Sequence, residues 1–352
     1  MAELLGFITA VIGLVAAIVG LWAVIDGRRK RGVVTITPPD DQETRAYIER
    51  TIWERKAPKR PQLYNSSRPP IVSIANMKGG VGKTTLTANL GAYFASTPQN
   101  QKSLLIDFDY QGSLSQTVLG QAGITDVSMS AHHLLLGKKP IEDALNYAPP
   151  MRFRDRDSGF IRLFRATYPF STIENELFVD WLTNDESEVR YNLLRYLDSA
   201  EFKQAYDIAL IDCPPRITTA TINALSASSG LVIPTQPDGL SIPGAEYFSR
   251  QIMRMREETF HKLKLLGVVP SITLQASSLK PVEVQELAEL ETKMNEIWPA
   301  AARSAGNIII QEAFVPRTQP IRDAAGKGIA YLRDSKSKQI FDRLGGAVRQ
   351  RI

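Results

Sequence analysis

The apolar positions of this chain fall in short blocks spaced like strands with helices between them. Residues 71–75, 103–109, 208–211, 230–234 and 264–269 are blocks of this kind, rich in Ile, Val and Leu. Runs of that length predict strands buried on both faces, as in a parallel sheet. Residues 86–94 and 218–225 read as helices. Val284, Leu287, Leu290, Met294 and Ile297 recur at helical spacing before a stop at Pro299. Further helices are expected over 131–137, 141–145, 175–182, 192–197 and 335–349, and a charged loop over 151–158. Strands alternating with helices predict an α/β fold, a doubly wound and mostly parallel sheet.

The first block differs in kind. From Leu4 to Ile25 there are 22 residues without a charge, followed at once by Arg28, Arg29, Lys30 and Arg31. That length matches a ~30 Å hydrocarbon core, and the basic flank predicts that the C-terminal side is cytoplasmic. A single transmembrane helix is therefore expected over 1–27, with the protein in the inner membrane and its N-terminus outside. Gly6, Ala10, Gly13, Ala17 and Gly20 would line one face of that helix, a seam on which it could self-associate. Residues 28–69 read as a basic linker with prolines at 38, 39, 58, 61 and 69, and Pro70 directly after it. A helix through 44–56 would carry Tyr47, Ile48, Ile52 and Trp53 on one face. It has two readings: it lies on an anionic membrane surface, or it docks through Trp53 on the domain that follows.

The chemistry begins where the first strand meets the first helix. Lys78-Gly79-Gly80-Val81-Gly82-Lys83-Thr84-Thr85 sits between them, the context in which a glycine loop cradles phosphate. Glycines leave room for backbone N–H groups to wrap a polyphosphate, and the helix N-terminus adds a favourable dipole. Lys83 is expected at the β- and γ-phosphates of ATP, and the Thr84 hydroxyl on Mg²⁺. The ordinary loop has glycine at the position of Met77, and here a second lysine, Lys78, follows instead. A second cluster, Asp107-Phe108-Asp109-Tyr110-Gln111-Gly112, ends the second strand. Asp212, then Cys213-Pro214-Pro215, ends the third, where a buried parallel strand delivers one carboxylate to a metal.

These three signatures, in this order, resemble the ParA/MinD family of P-loop ATPases with a deviant Walker A loop; the resemblance spans 70–352. It implies that ATP drives a homodimer in which Lys78 reaches the partner's nucleotide. It implies that Asp109 orients the attacking water and that Asp107 lies near the Mg²⁺ hydration shell. Tyr110 stands where the family has proline. Gln236 and Pro237 are expected near the base or ribose, and residues 314–317 resemble a late segment bordering the nucleotide. Turnover is expected to be slow and raised by a protein partner.

Charge and composition narrow the alternatives. The net charge is +5, yet ten Lys/Arg against five Asp/Glu lie between positions 27 and 60. The remainder from 61 onward is nearly neutral, which disfavours a general nucleic-acid sheath without excluding a local patch. One cysteine, Cys213, forbids an intrachain disulfide and reads as a small buried residue. The three histidines show no metal-ligand spacing. Besides a membrane-anchored ATPase switch, three readings stand: a DNA-partition ATPase, a membrane-linked tyrosine kinase, and an ATP-sensing scaffold or immunity component. The kinase reading is weakened by a tail whose one tyrosine is Tyr331.

Overall fold

The computed structural model describes residues 51–62, 68–96, 101–124, 130–137, 150–152, 159–275 and 277–352. The chain divides into two units, Met1–Ile52 and Trp53–Ile352, and the second holds the sheet. The inner-membrane placement expected from the sequence is corrected here. Among the described residues no helix is long and apolar enough to cross a membrane. The longest, Pro281–Ile297, has 17 residues, too short at 1.5 Å per residue for a ~30 Å core, and carries five glutamates and a lysine. The run from Leu4 to Ile25 lies outside the described residues, as does most of the helix expected over 44–56.

The strands are β1 (Ile71–Ile74), β2 (Lys102–Asp107), β3 (Met151–Arg152), β4 (Phe160–Phe164), β5 (Ile208–Asp212), β6 (Gly230–Thr235), β7 (Lys264–Thr273) and β8 (Val315–Pro316). Among the described residues they form one sheet in the order β3-β4-β2-β5-β1-β6-β7-β8. Every pairing is parallel except β3 with β4. The three central strands are buried along their whole length, which is why their sequences read as unbroken apolar runs.

Period-two geometry splits each strand between two cores. Leu104, Ile106, Ala209, Ile211, Leu231 and Ile233 face one. Leu105, Ile208, Leu210 and Val232 face the other. On the second face lie α1 (Lys83–Ser96) and α12 (Ser335–Arg349). They cross closely, because a Cβ at Gly345 would stand 2.2 Å from the Tyr93 ring. On the first face lie α4 (Phe170–Thr183), α5 (Asn192–Leu197), α7 (Thr219–Ala227), α8 (Ile242–Arg256) and α9 (Pro281–Ile297). Short helices α2 (Ser113–Ala122), α3 (His132–Leu136), α6 (Ala200–Ala205), α10 (Gln319–Ala324) and α11 (Ala330–Arg333) complete the set described.

Of the two placements weighed for Trp53, the structure has it on the domain. It is 3% exposed and packs against Trp181 and Phe178 of α4 at 4.8 and 5.1 Å. The strand order reverses at β1, which has β5 on one side and β6 on the other. Such a reversal opens a crevice at the C-terminal strand ends.

Candidate functional site

The glycine loop leaves β1 at that crevice. Asn76, 1% exposed, holds its start: the side-chain amide donates to Pro234 O of β6 at 2.8 Å and its oxygen accepts from Lys78 N at 3.0 Å. Gly80 and Gly82 have φ of 74° and 91°, a left-handed conformation that glycine adopts without a Cβ clash. On the far side Ser271 of β7 donates its hydroxyl to Val81 O at 2.5 Å. The next residue, Ile272, has φ 58°. A β-branched side chain in that region is strained, and the pairing of β7 with β8 shifts register there.

Lys83 opens α1, is buried, and its amine donates to Lys78 O at 3.1 Å. Thr84 donates its hydroxyl to Asp212 Oδ2 at 2.7 Å, joining the start of α1 to the end of β5. Burial holds the Lys83 amine below its ordinary pKa, against the attraction of Asp212. Burial, with Asp107 beside it, holds Asp212 well above the carboxylate range. A triphosphate at Lys83 and a dication at Asp212 would each favour the charged form.

The donor set fits magnesium. Asp212 Oδ1 is buried and has no hydrogen-bond partner among the described residues, while Oδ2 takes the Thr84 hydroxyl. Among the described residues no group of three or more His, Cys, Asp or Glu could hold a metal. Magnesium commonly takes one or two protein oxygens together with substrate phosphate and water. Thr84 and Asp212 are such a pair.

Asp107 and Asp109 part company. Asp107 is level with Asp212 in the β2–β5 register and fully buried. Its Oδ2 accepts from both the backbone N–H and the hydroxyl of Ser115, at 2.8 and 2.6 Å, and its Oδ1 accepts from Asp109 N at 3.2 Å. Burial raises its pKa to about 7, with the Ser115 bonds opposing. All its partners lie on the chain's own loop and on α2. Asp109 instead lines the cavity.

That cavity, about 740 Å³, is lined by Gly79, Gly80, Gly82, Lys83, Thr84, Thr85, Asp109, Pro215 and Gln236 on the phosphate-loop side. Lys78, Val81 and Pro237 lie outside its lining. Lys78 stands near the start of α8, its Cβ 4.0 Å from where a Cβ on Gly244 would be. Asn89, Gln116, Thr117 and the segment from Val315 to Ala330 supply the other wall. That segment is tied down by three backbone amides: Gly326 N to Thr117 Oγ1 at 3.1 Å, Ile329 N to Gln121 Oε1 at 3.2 Å, and Tyr331 N to Asn89 Oδ1 at 2.7 Å. The second wall beyond residue 317 was missed from the sequence. Its signals were Gly326 and Gly328, turn residues far from any motif.

A family model described as an AAA domain matches residues 70–265. The chain is 32% identical to the chromosome partitioning protein ParA of Caulobacter vibrioides, over 59% of this chain and 72% of that one. Among solved structures, cobyrinic acid a,c-diamide synthase from Mycobacterium smegmatis with bound ADP and magnesium is 26% identical. It has a TM-score of 0.54, over 74% of this chain and 91% of that one. The Cyanothece McdA–ATP complex, 18% identical, shares the fold with a TM-score of 0.60, over 81% of this chain and 96% of that one.

Proposed function

The chain belongs to this AAA-domain family and is a ParA-type P-loop ATPase, and from that premise we propose a Mg²⁺-dependent ATP switch of the partition or positioning kind. ATP pairs two copies, and hydrolysis parts them. The observation that carries this reading is the contact of Thr84, which with Lys83 and the loop glycines lines the cavity, with the buried Asp212 behind it. The loop amides and Lys83 hold the β- and γ-phosphates. Thr84 and Asp212 would hold Mg²⁺, which when bound neutralises charge that builds on those phosphates. Asp109 orients the attacking water from the cavity wall. Asp107 serves from behind, keeping the Asp109 loop on α2.

Lys78 completes the partner's site. Its place outside the lining of its own cavity supports that role, and a cation arriving from a second copy would act as an arginine finger does. Turnover is slow and raised by a protein partner. The tyrosine-kinase reading is disfavoured by Tyr331, 4% exposed with its hydroxyl donating to Asp342 at 2.8 Å.

The test is ATP hydrolysis and sedimentation of the purified chain. The parent is expected to hydrolyse ATP only with Mg²⁺ and to dimerise with ATP. Lys78→Ala is expected to bind ATP without either dimerising or turning over. A Lys78→Ala protein that pairs and hydrolyses like the parent would end the trans-acting role.

A further inference from the structure

Glu174 is a buried carboxylate that the phosphate chemistry leaves unused. It lies in the second turn of α4, 8% exposed. Its Oε1 accepts from Ala220 N in the first turn of α7 at 2.7 Å. Its backbone carbonyl accepts from the Thr219 hydroxyl at 3.1 Å. A carboxylate at a helix start meets both unpaired N–H groups and the positive end of the helix dipole. Burial holds Glu174 above the usual carboxylate range, while Thr218, Ala220 and Arg216 draw it back.

The start of α7 matters because of what precedes it. Residues 213–218 connect Asp212 at the end of β5 directly to α7. Thr221 Oγ1 donates to Arg216 O at 2.5 Å, so α7 grips the middle of that loop as well. The Arg216 guanidinium stands over the Tyr110 ring at 6.0 Å, beside Asp109. Glu174 thus sits at the root of a loop that continues from Asp212 and reaches the Tyr110 ring, next in sequence to Asp109.

α4 is itself anchored at both ends. At its start Phe170 packs on Phe108 at 5.6 Å. Near its end Lys56 Nζ donates to Trp181 O at 2.6 Å, and Trp53 packs on the Trp181 ring. The middle of α7 is held from another direction: Asn223 accepts from Leu193 N at 3.0 Å and donates to Val189 O at 2.9 Å. Thr218 caps α7, accepting from Thr221 N, and Glu174 adds a carboxylate on Ala220 N from the neighbouring helix.

We propose that Glu174 is a positioning residue for hydrolysis, holding the loop from Asp212 to α7, and Arg216 with it, in register with Asp109. This rests on the ATPase reading above. Displacing a catalytic group by about 1 Å costs on the order of 100-fold in rate, so the effect belongs in kcat.

The experiment measures kcat and KM for Mg-ATP in the full chain, with Lys83→Ala as the inactive reference. Glu174→Ala is expected to lower kcat about 10- to 100-fold with KM within about 2-fold of the parent. Glu174→Gln keeps an oxygen acceptor for Ala220 N–H and is expected to recover kcat to within about 3-fold of the parent. A merely structural role would lower the folding midpoint and leave kcat per folded molecule unchanged. If Glu174→Ala does not fold, Thr219→Val removes the neighbouring bond, with an expected fall of about 3-fold in kcat.

The proposal fails if Glu174→Ala, or Thr219→Val in its place, turns over like the parent. It also fails if KM rises with kcat unchanged, or if Glu174→Gln is as slow as Glu174→Ala. A parent no faster than Lys83→Ala would bring down the ATPase reading, and the inference with it.

Discussion

Two regions of this molecule put their polar groups to opposite use. The phosphate loop is closed by near neighbours, Lys78 N to Asn76 two residues apart and Lys83 Nζ to Lys78 O five, and pinned to the sheet by Pro234, Ser271 and Asp212. The strap from Trp53 to Arg60 is held by contacts across most of the domain. Arg190 donates to Trp53 O at a separation of 137 residues, Lys59 N to Glu188 at 129, and Lys56 to Trp181 O at 125. What differs is what those polar groups meet. Beside the loop Asp212 Oδ1 has no partner among the described residues, and Gly79, Gly80 and Gly82 line a cavity. In the strap Arg190, 1% exposed, gives its guanidinium to Glu188 and to the carbonyls of Trp53, Lys56 and Ala57. One region is built to take hold of something that is not the chain. The other is built to take hold of the chain itself.

That contrast is broken most directly by Lys83→Ala. Lys83 is expected to act on the ligand and not on the fold, so kcat/KM for ATP should fall on the order of 10²- to 10³-fold, as for other fixed charges at a reacting centre. The denaturation midpoint should move little, since the lost amine is one that burial already disfavours. The reverse is expected of Arg190→Ala. Removing one partner of a buried ion pair costs about 3–5 kcal/mol, and the pair here is 2.6 Å apart with both side chains at least 95% buried. Urea unfolding should show that loss, while ATP hydrolysis per folded molecule should change far less. If Arg190→Ala leaves stability intact, the strap is not an anchor.

The same contrast decides what the sequence could tell. β1, β5 and β6 were legible because strands buried on both faces are unbroken apolar runs. The phosphate loop was legible because its signature, Lys78 to Thr85, lies within eight residues. β4 was not foreseen: its sequence is interrupted by Arg162, whose guanidinium stands over the Phe160 ring at 5.3 Å instead of reaching solvent from a loop. Met151 and Arg152 open a charged stretch that predicts a loop, yet they pair with β4. α8 was missed although Ile242, Ala245, Phe248, Ile252 and Met255 keep helical spacing, because Pro243 and Gly244 at its start look like a turn. Trp53 had two readings because its partners lie more than 120 residues on. For Asp107 the family resemblance pointed to the metal, and only its Ser115 contacts reveal a carboxylate turned toward α2.

A third effect sets the ligand-binding region apart from the strap by pH. Asp107 titrates near 7 in the fold against about 3.9 in an unfolded chain. A carboxyl with a raised folded pKa binds its proton more tightly when folded, so the fold is favoured at low pH and loses stability as pH rises between those two values. Asp212 shifts in the same direction. Nucleotide-free protein is therefore expected to lose stability from pH 5 to 7, with Asp107 contributing up to about 1.4 kcal/mol per pH unit. Mg-ATP should flatten that slope, because a cation beside Asp212 favours the carboxylate. A urea midpoint that is flat from pH 5 to 7 without nucleotide would mean that water reaches this pair.

The smallest effect separates the strap's core from its rim. Glu54 and Arg254 form an ion pair at 3.2 Å with side chains 21% and 32% exposed, joining the start of the strap to α8. Pairs near the surface contribute about 0–1 kcal/mol, since water and salt screen them and two long side chains must be ordered. Glu54→Gln should therefore cost a few tenths of a kcal/mol, and the loss should vanish in about 1 M salt, where the Debye length falls to about 3 Å. Arg190→Ala should keep most of its cost in the same salt, because its partner carboxylate is out of water. If Glu54→Gln cost as much as Arg190→Ala, the strap would be held by surface charge. Its attachment would then loosen with ionic strength, which a docking site built around a buried tryptophan and a buried arginine should resist.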